Sequence, residues 1–506
     1  MKKQVTQMAA CGLISILALT GCSSDSDNNN GTPPSQTPAA ALNYIFATDH
    51  EGHVTIATHN VDNSVSHVAD FQPLNSAGGT LSLGEIHIAH GKAFVVIGSG
   101  LTDENDAFTG GGLGVVDIGT MMLEQVLSLP TTATTADDGV SPTTSRFVHT
   151  YMDPDGHHLW MNNDGESSTA VDSVFRVNID PMDAEYLHFE EIVVGHGHKK
   201  SAFAYPVDGG AQALHLFATH NLQQESISVI DNDPASATFK QVLTTVNLNN
   251  GTPFQNTVHG MGFSTVSGHL YTGVTPGVDI GLSIIDATDA ALTHTTIQAG
   301  MDMGMNQIPA AGYVKVSHDG RWVMTAGYVN ETGYLSIVDA QTDTVTDVIE
   351  LGNLSSSSLN IAEMEMDMGG GMTMDHVKLF IPSRQTTASE TEITTQIAVV
   401  DFDPMTGMKS NGTSVRYVDV EAGPAHRNGK TSHDGMFAYY PNGGDCGASH
   451  AEHGAGCTLI SIIDVMSEEV VAEMHTAGHE PGSITVISAP ELTGAGTGSA
   501  GGGHVH

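Results

Sequence analysis

A unit of roughly 40 to 55 residues recurs along most of the chain, and this repeat constrains the fold more than any other sequence feature. Each copy contains a β-rich stretch, a turn of the Asp-Gly type, a second strand, and a third strand ending in Val-Asp or Ile-Asp. Repeats of this length with four strands each are typical of propeller blades. The repeat therefore predicts an all-β chain folded as a β-propeller.

The clearest copy spans residues 312–351. Its predicted strands are residues 313–317, 322–327, 334–339 and 344–351, with a hairpin turn at His318-Asp319-Gly320. This unit resembles the YVTN family of propeller repeats, especially in Ser336-Ile337-Val338-Asp339-Ala340.

Third strands of the same type are predicted at residues 113–118, 173–177, 226–231, 282–286, 396–401 and 459–464. With residues 54–59 counted for the first blade, the repeats predict a single propeller of eight four-stranded blades, and seven is the alternative count. The first blade lacks its own inner strand, because the chain runs directly into residues 44–48. Residues 483–488 are predicted to supply it, which protects edges that would otherwise be open.

The chain begins with a predicted lipoprotein signal peptide. Lys2 and Lys3 precede an apolar run over residues 8–19, which is too short for a permanent membrane helix, and Leu19-Thr20-Gly21-Cys22 resembles a lipobox. The predicted domains are the signal (residues 1–22), a disordered tether (23–41), the propeller (42–490) and a flexible Gly/His-rich tail (491–506). Lipidation of Cys22 would anchor a periplasmic protein in the outer membrane, with no other membrane contact. An ordinary secretory signal is the alternative.

The charge balance argues against nucleic-acid binding. Acidic residues outnumber basic ones 57 to 16, which gives a formal net charge of -41. Such a field repels nucleic acids and anionic lipid surfaces and concentrates cations. Solubility is an equally good explanation of the same excess.

Histidines recur in short turns flanked by Gly or Pro that lead into inner strands. In a propeller these turns lie on one face, around one mouth of the channel. Neutral imidazole is the commonest protein ligand for zinc and copper. The pattern therefore predicts a metal site, against the alternative of unrelated loop histidines; the candidates are His196, His198, His259, His426 and His479. His259 and His426 align with each other, six positions before Thr265 and Ser432, the residues taken to open the hairpin turns.

One loop of the last blade combines cysteine and histidine. Cys446 and Cys457 are the only cysteines in the predicted domain, so an oxidising compartment favours a disulfide between them. His450 and His453 would then be available to bind metal. The alternative is a tetrahedral zinc site formed by all four residues. His50, His53 and His220 are weaker candidates on the same face.

Two methionine runs are a competing signal, because thioethers select Cu(I). The first run contains Met301, Met303 and Met305. The second contains Met364, Met366, Met368, Met372 and Met374, surrounds three glycines and is followed by His376. The second run is interpreted as a flexible loop, and core packing is the alternative role for both.

The chain resembles the AztD family of periplasmic zinc metallochaperones. The resemblance rests on the propeller length, on residues 195–200, 258–262 and 424–429, and on the loop at 446–457. It implies a propeller that binds zinc at the channel mouth through His198, His259, His426 and His479 and passes it to the solute-binding protein of an ABC importer. The lipobox and the methionine runs depart from this family.

Two other functions remain open. A copper-binding or copper redox propeller, similar to nitrous oxide reductase, would need more channel histidines and a copper domain. A metal-free lipoprotein that binds proteins through its propeller face is the other alternative. We find no nucleophile elbow, metalloprotease helix, nucleotide loop or haem motif, so no enzyme activity is predicted.

Overall fold

The computed structural model confirms an all-β fold of eight antiparallel blades. It describes residues 40–73, 81–102, 108–130, 145–164, 172–221, 225–248, 260–273, 281–330, 332–352, 358–382 except 368–372, 396–420, 429–442, 458–479 and 481–492. Seven of the blades are four-stranded sheets. The remaining one, the seventh blade along the chain, has a short fifth strand.

In the first four blades, the strands of each blade follow one another along the chain. They are β1 (Ala41–Asp49), β2 (Val54–Asn60) and β3 (Val65–Phe71) in the first; β4 (Ser82–Ala89), β5 (Lys92–Thr102), β6 (Phe108–Asp117) and β7 (Met122–Ser128) in the second; β8 (Phe147–Met152), β9 (His158–Asn163), β10 (Asp172–Asn178) and β11 (Phe189–Val194) in the third; and β12 (Ser201–Ala204), β13 (Leu216–Asn221), β14 (Ser226–Asp231) and β15 (Val242–Asn247) in the fourth.

The second half of the ring repeats this order. Its strands are β16 (Met261–Phe263), β17 (His269–Gly273), β18 (Leu282–Asp286) and β19 (His294–Ile297) in the fifth blade; β20 (Tyr313–Val316), β21 (Trp322–Val329), β22 (Thr332–Asp339) and β23 (Thr344–Glu350) in the sixth; β24 (Asn360–Asp367), β25 (Thr373–Pro382), β26 (Gln396–Asp403), β27 (Met408–Lys409) and β28 (Arg416–Asp419) in the seventh; β29 (Lys430–Thr431), β30 (Phe437–Pro441), β31 (Leu459–Asp464) and β32 (Glu469–His475) in the eighth; and β33 (Pro481–Ser488), which returns to the first.

Alternating side chains explain how each blade packs on two neighbours. Successive residues of a strand point to opposite faces. In β21, Trp322 and Met324 pack toward the seventh blade, and Val323 packs toward the fifth. Middle strands are therefore buried on both faces, which is why they contain long apolar runs.

The core is a ring of eight apolar clusters, one between each pair of neighbouring blades. Trp322 meets Phe402 edge-to-face at 6.1 Å between the sixth and seventh blades. Trp160 stacks on Phe217 at 4.4 Å between the third and fourth. Because the cluster around Ile45 and Tyr439 joins the last blade to the first, the ring closes.

The closing strand is the one that the sequence predicts. The strand β33 pairs antiparallel with β1 and becomes the innermost strand of the first blade. Asn43 donates a hydrogen bond to the Tyr439 hydroxyl at 2.9 Å, and the Gly478 amide donates to Asp49 Oδ2 at 2.7 Å. Both ends of the chain are thus fastened to the same blade.

The second methionine run differs from the expected loop, because most of it belongs to a strand pair. Met364 pairs with His376 and Met366 with Met374 across β24 and β25, and the Met364 side chain is buried in the core. The first run includes a short 3-10 helix (Met303–Met305), and the three methionines of this run are exposed. One α-helix is described, α1 (Ala489–Leu492), and no helix of the described chain is long and apolar enough to cross a membrane.

Candidate functional site

The innermost strands bring a cluster of charged side chains to the central channel. Adjacent innermost strands contact one another around most of the ring, so they form the channel wall. Glu85 on β4 interacts electrostatically with residues from the fourth, sixth and eighth blades, which requires these groups to face a common space. The cluster consists of Glu85, His87, His149, Lys200, Lys315 and Lys430.

His149 and His198 form an imidazole pair at one mouth of this channel. His149 lies on β8, and His198 lies in the turn that leads into β12. Their ring centroids are 5.0 Å apart and the ring planes are nearly perpendicular, at 78°. Two imidazoles from separate stretches of chain therefore meet on the face predicted from the histidine-containing turns.

A carboxylate lies beside Nδ1 of each imidazole in this pair. His198 Nδ1 is 2.7 Å from Asp164 Oδ2, and His149 Nδ1 is 3.5 Å from Glu85 Oε1. Histidines that bind metals usually donate the second ring nitrogen to a carboxylate or carbonyl, which orients the ring and fixes its tautomer. Asp164 gives His198 this arrangement. At His149, Glu85 Oε1 and Lys200 Nζ both face Nδ1, and the ammonium group is the nearer of the two, at 3.2 Å.

Burial and the neighbouring ammonium group keep His149 neutral. Lys200 Nζ is 3.2 Å from His149 Nδ1. Burial, together with the charge of Lys200, lowers the pKa of His149 to about 4. Only neutral imidazole binds metals, so His149 is ready to act as a ligand at neutral pH.

Glu85 is held in its charged form by neighbouring groups. Burial opposes ionisation, but contacts with His149 and His87 outweigh it and hold the Glu85 pKa well below its usual range. The Thr150 amide and hydroxyl donate to Glu85 Oε2 at 2.8 and 2.9 Å. His87 Nε2 lies 2.6 Å from the same hydroxyl. Glu85 is therefore a fixed negative charge in the channel wall.

The turn before β12 is fixed by a buried ion pair. Lys199 Nζ donates to Asp172 Oδ2 at 2.9 Å and to the Gly197 carbonyl at 2.6 Å, and both charged side chains are inaccessible to solvent. The Gly197 amide also donates to Asp172, at 2.6 Å, and Gly197 has a φ of 116°, which favours glycine. These contacts hold His198 beside His149.

The other predicted ligands have different surroundings. His196 Nδ1 lies 3.2 Å from Asp172 Oδ2, and within the described residues neither ring nitrogen of His196 makes a hydrogen bond. His479 belongs to the first blade, three blades away from His198 around the ring, where its Nε2 lies 3.9 Å from Glu51 Oε1. Outside the described residues lie Cys22, His259, His426, Cys446, His450, His453 and Cys457.

The hairpin turns refine the predicted alignment of His259 with His426. The turn of the fifth blade opens at Ser264, whose amide donates to the His269 carbonyl, as Ser432 donates to Phe437 in the eighth blade. Thr265 is one residue too late, so the predicted alignment is wrong by one position: in the sequence His259 precedes the opening residue of its turn by five positions and His426 by six.

Two further groups of metal-binding side chains lie on the opposite face. His90, His157 and Asp180 converge in one group, and His157 Nδ1 is 2.9 Å from Asp180 Oδ2. The second group contains Asp153, Asp155 and His158. Both are at hairpin turns of the second and third blades and are partly exposed, and the sequence analysis did not single them out.

Sequence reasoning also missed His149 and the three channel lysines. His149 has no flanking Gly or Pro, and its only sequence signal is its place in the β-rich stretch that precedes the predicted third strand at residues 173–177. The lysines are separated by 115 residues or more along the chain (Lys200, Lys315, Lys430), and only the ring geometry brings them together.

Comparison with known proteins supports the fold alone. No family model and no curated protein matches this sequence. Among solved structures, the chain is similar to dihydro-heme d1 dehydrogenase NirN in complex with DHE, with a TM-score of 0.51, 12% identity, and 89% of this chain and 76% of that chain covered. It is also similar to hydrazine synthase of Kuenenia stuttgartiensis, with a TM-score of 0.44 and 14% identity; the match covers 70% of this chain and 98% of that chain. At 12% identity, the first of these likenesses is one of fold.

Proposed function

We propose that this protein is an extracytoplasmic metal-binding propeller that binds zinc at the His149–His198 pair. The observation that carries the proposal is the carboxylate beside Nδ1 of each ring, Asp164 for His198 and Glu85 for His149. A carboxylate in this position is the usual environment of a metal-binding histidine, and here two such histidines lie side by side.

Zinc fits this site better than harder cations. Imidazole nitrogen is a preferred zinc ligand, whereas magnesium and calcium favour all-oxygen sites. His259 and His426 are the candidates for the remaining ligand positions. A site built from a few imidazoles at a channel mouth leaves a coordination position open, which a carrier needs in order to release its metal.

The proposed role is zinc transfer to the solute-binding protein of an ABC importer. The resemblance to AztD-type metallochaperones motivates this part, together with the predicted export signal and the position of the site at a surface opening. Lipid attachment at Cys22 would keep the carrier at the membrane surface, within the compartment where such importers collect zinc.

Competition with a chromophoric zinc chelator tests the binding site. Metal-free wild-type protein is expected to bind one zinc ion tightly at the pair, and His149→Ala or His198→Ala is expected to weaken that binding at least about a hundredfold, since each removes a direct ligand. His67→Ala is the matched control, because His67 is exposed on the outermost strand of the first blade and belongs to neither group on the opposite face. Unchanged zinc affinity in both ligand variants would reject the site.

The same variants separate the alternative functions. Tighter binding of Cu(I) than of zinc, retained after both histidines are removed, would favour a copper protein that uses the exposed methionines 301, 303 and 305. Failure to bind either metal would favour a protein-binding scaffold. Transfer is tested by mixing zinc-loaded protein with an apo zinc-specific solute-binding protein; transfer no faster than release to excess chelator would contradict direct hand-over.

A further inference from the structure

The channel contains lysines that have no carboxylate partner. Lys315 on β20 and Lys430 on β29 make no hydrogen bond or ion pair within the described residues, and the nearest aromatic contact of Lys315 Nζ is the Tyr313 ring, at 5.8 Å. Among the described lysines, Lys92, Lys199, Lys240 and Lys378 each pair with a carboxylate, as Lys240 does with Glu190 at 2.6 Å. Unpaired ammonium groups in a protein with 57 acidic residues need an explanation.

The lysines occupy alternate blades of the ring. Lys200 belongs to the fourth blade, Lys315 to the sixth and Lys430 to the eighth, and Glu85 occupies the second. Lys315 pairs with Met324 and Lys430 pairs with Tyr439, and each partner is the third residue of its strand. The two lysines therefore lie at the same depth along the channel. The backbone of Lys200 bonds to His220, the fifth residue of its adjacent strand, so Lys200 lies nearer the His198 face.

The carboxylates of the channel are already engaged elsewhere. Glu85 accepts from Thr150 and contacts His149, and Asp164 contacts His198. Three ammonium groups thus face a space where the nearby negative charges have other partners. All three lysines are partly accessible to solvent.

We infer that Lys200, Lys315 and Lys430 form a binding site for a small multivalent oxyanion within the central channel. Ammonium groups arriving from three directions suit an anion with several charged oxygens, such as inorganic phosphate, sulfate or a small polycarboxylate. The anion site borders the metal site proposed above, because Lys200 Nζ is 3.2 Å from His149 Nδ1, whereas Lys315 and Lys430 belong to other blades.

The titration of Lys315 agrees with an anion site that gains charge when the anion binds. Burial and the repulsion of Lys430 and Lys200 lower the pKa of Lys315 to about 7, against the opposing attraction of Glu85. A bound anion stabilises the protonated form of Lys315. Anion binding near pH 7 should therefore take up protons, and affinity should fall more than about tenfold between pH 6.5 and pH 9.

The test uses full-length protein freed of metal with a chelator and then dialysed. Isothermal titration with phosphate, sulfate and citrate in two buffers of different ionisation enthalpy measures both affinity and proton uptake. We expect one anion to bind with proton uptake at pH 7 and no uptake at pH 5.5. Phosphate or sulfate binding would identify an inorganic ligand, and preferential citrate binding an organic one. Absence of binding by all three at millimolar concentration would overturn the inference.

Matched substitutions show whether the lysines carry the binding. Lys315→Met and Lys430→Met should each weaken anion binding at least tenfold, and Lys240→Met on the outer surface should leave it unchanged. Glu85→Gln should tighten binding several-fold, because it removes a negative charge that faces the lysines. Equal affinity in the Lys315 and Lys430 variants would overturn the site.

Thermal unfolding distinguishes a ligand site from a structural role. Lys315→Met removes an unpaired charge, so without anion its Tm should equal or exceed that of the wild type. Added anion should raise the Tm of the wild type and leave that of the variant unchanged. A lower Tm for Lys315→Met in anion-free buffer would show that this lysine serves folding, and would overturn its assignment.

Discussion

Asp172 accepts a hydrogen bond from Lys199 at 2.9 Å, and both side chains are completely buried. The same carboxylate oxygen accepts from the Gly197 amide, so the ion pair fixes the turn that contains His198. Removing one partner of a buried pair leaves the other charge without compensation, which costs far more than the pair itself contributes.

Asp172→Asn is therefore expected to lower the free energy of unfolding by about 3–5 kcal/mol, measured by urea denaturation. It should also weaken zinc binding, because the turn carrying His198 loses its support. Asp62→Asn is the control, since Asp62 lies on the surface and bonds only to neighbouring Ser64. Wild-type stability in Asp172→Asn would contradict the proposed role of the pair.

Lys200 opposes cation binding at the imidazole pair. Its ammonium group is 3.2 Å from His149 Nδ1 and lowers the pKa of His149. Lys200→Met should therefore raise zinc affinity at pH 7 by about tenfold and raise the pKa of His149. Chelator competition and NMR titration of the His149 ring measure the two effects. A weaker zinc affinity in Lys200→Met would indicate that Lys200 supports the site.

The propeller was predictable because its signals are local. Six of the eight third strands end in Asp, and Asn60 and Asn178 end the other two. Asp339, for example, faces Trp322 at the start of the second strand, so the repeat is visible in the sequence itself. The closing strand was predictable for a related reason, since residues 483–488 have strand character and no blade of their own.

The composition of the site was less predictable, because it depends on long-range geometry. His198 was identifiable from its glycine-flanked turn, but its partner His149 lies within an ordinary alternating strand. Glu85 lies where the pairing of β4 shifts register, between Leu83 and Ile86, so strand alternation alone does not give its direction. The three lysines come together only because the inner strands of the fourth, sixth and eighth blades line the same channel.

The low pKa of His149 predicts a dependence of stability on pH. In the unfolded chain this imidazole takes up a proton near pH 6.5, whereas in the folded protein it does so near pH 4. The unfolded state therefore binds more protons between these values, and the contribution of His149 to stability is lost as the pH falls from 6.5 to 4. The full shift corresponds to about 3 kcal/mol.

Urea denaturation at pH 4, 5, 6 and 7 measures this dependence. His149→Gln lacks the titrating group, so its stability should change less than that of the wild type over this range. His67→Gln is a suitable control, because His67 is exposed and pairs with Asp70 on the outermost strand of the first blade. Parallel curves for wild type and His149→Gln would contradict the assignment.

Ring closure gives the final prediction, which concerns Asp49. Its carboxylate accepts from the backbone amides of Glu51, His53 and Gly478 at 2.9, 2.9 and 2.7 Å, and the Asp49 side chain is buried. The first two contacts shape the turn between β1 and β2, and the third fastens the segment that leads into β33. Asp49 thus joins the two ends of the chain.

Asp49→Ala removes the acceptor of three amides, of which the Gly478 amide is buried, so we expect it to lower the free energy of unfolding by about 3 kcal/mol. Asp49→Asn keeps one carbonyl oxygen and should lose about half as much. Hydrogen exchange should locate the loss, with faster exchange in β1 and β33 and unchanged exchange in β21, on the far side of the ring. Uniform acceleration in all three strands would mean that the ring unfolds as one unit and that Asp49 is not a local fastening.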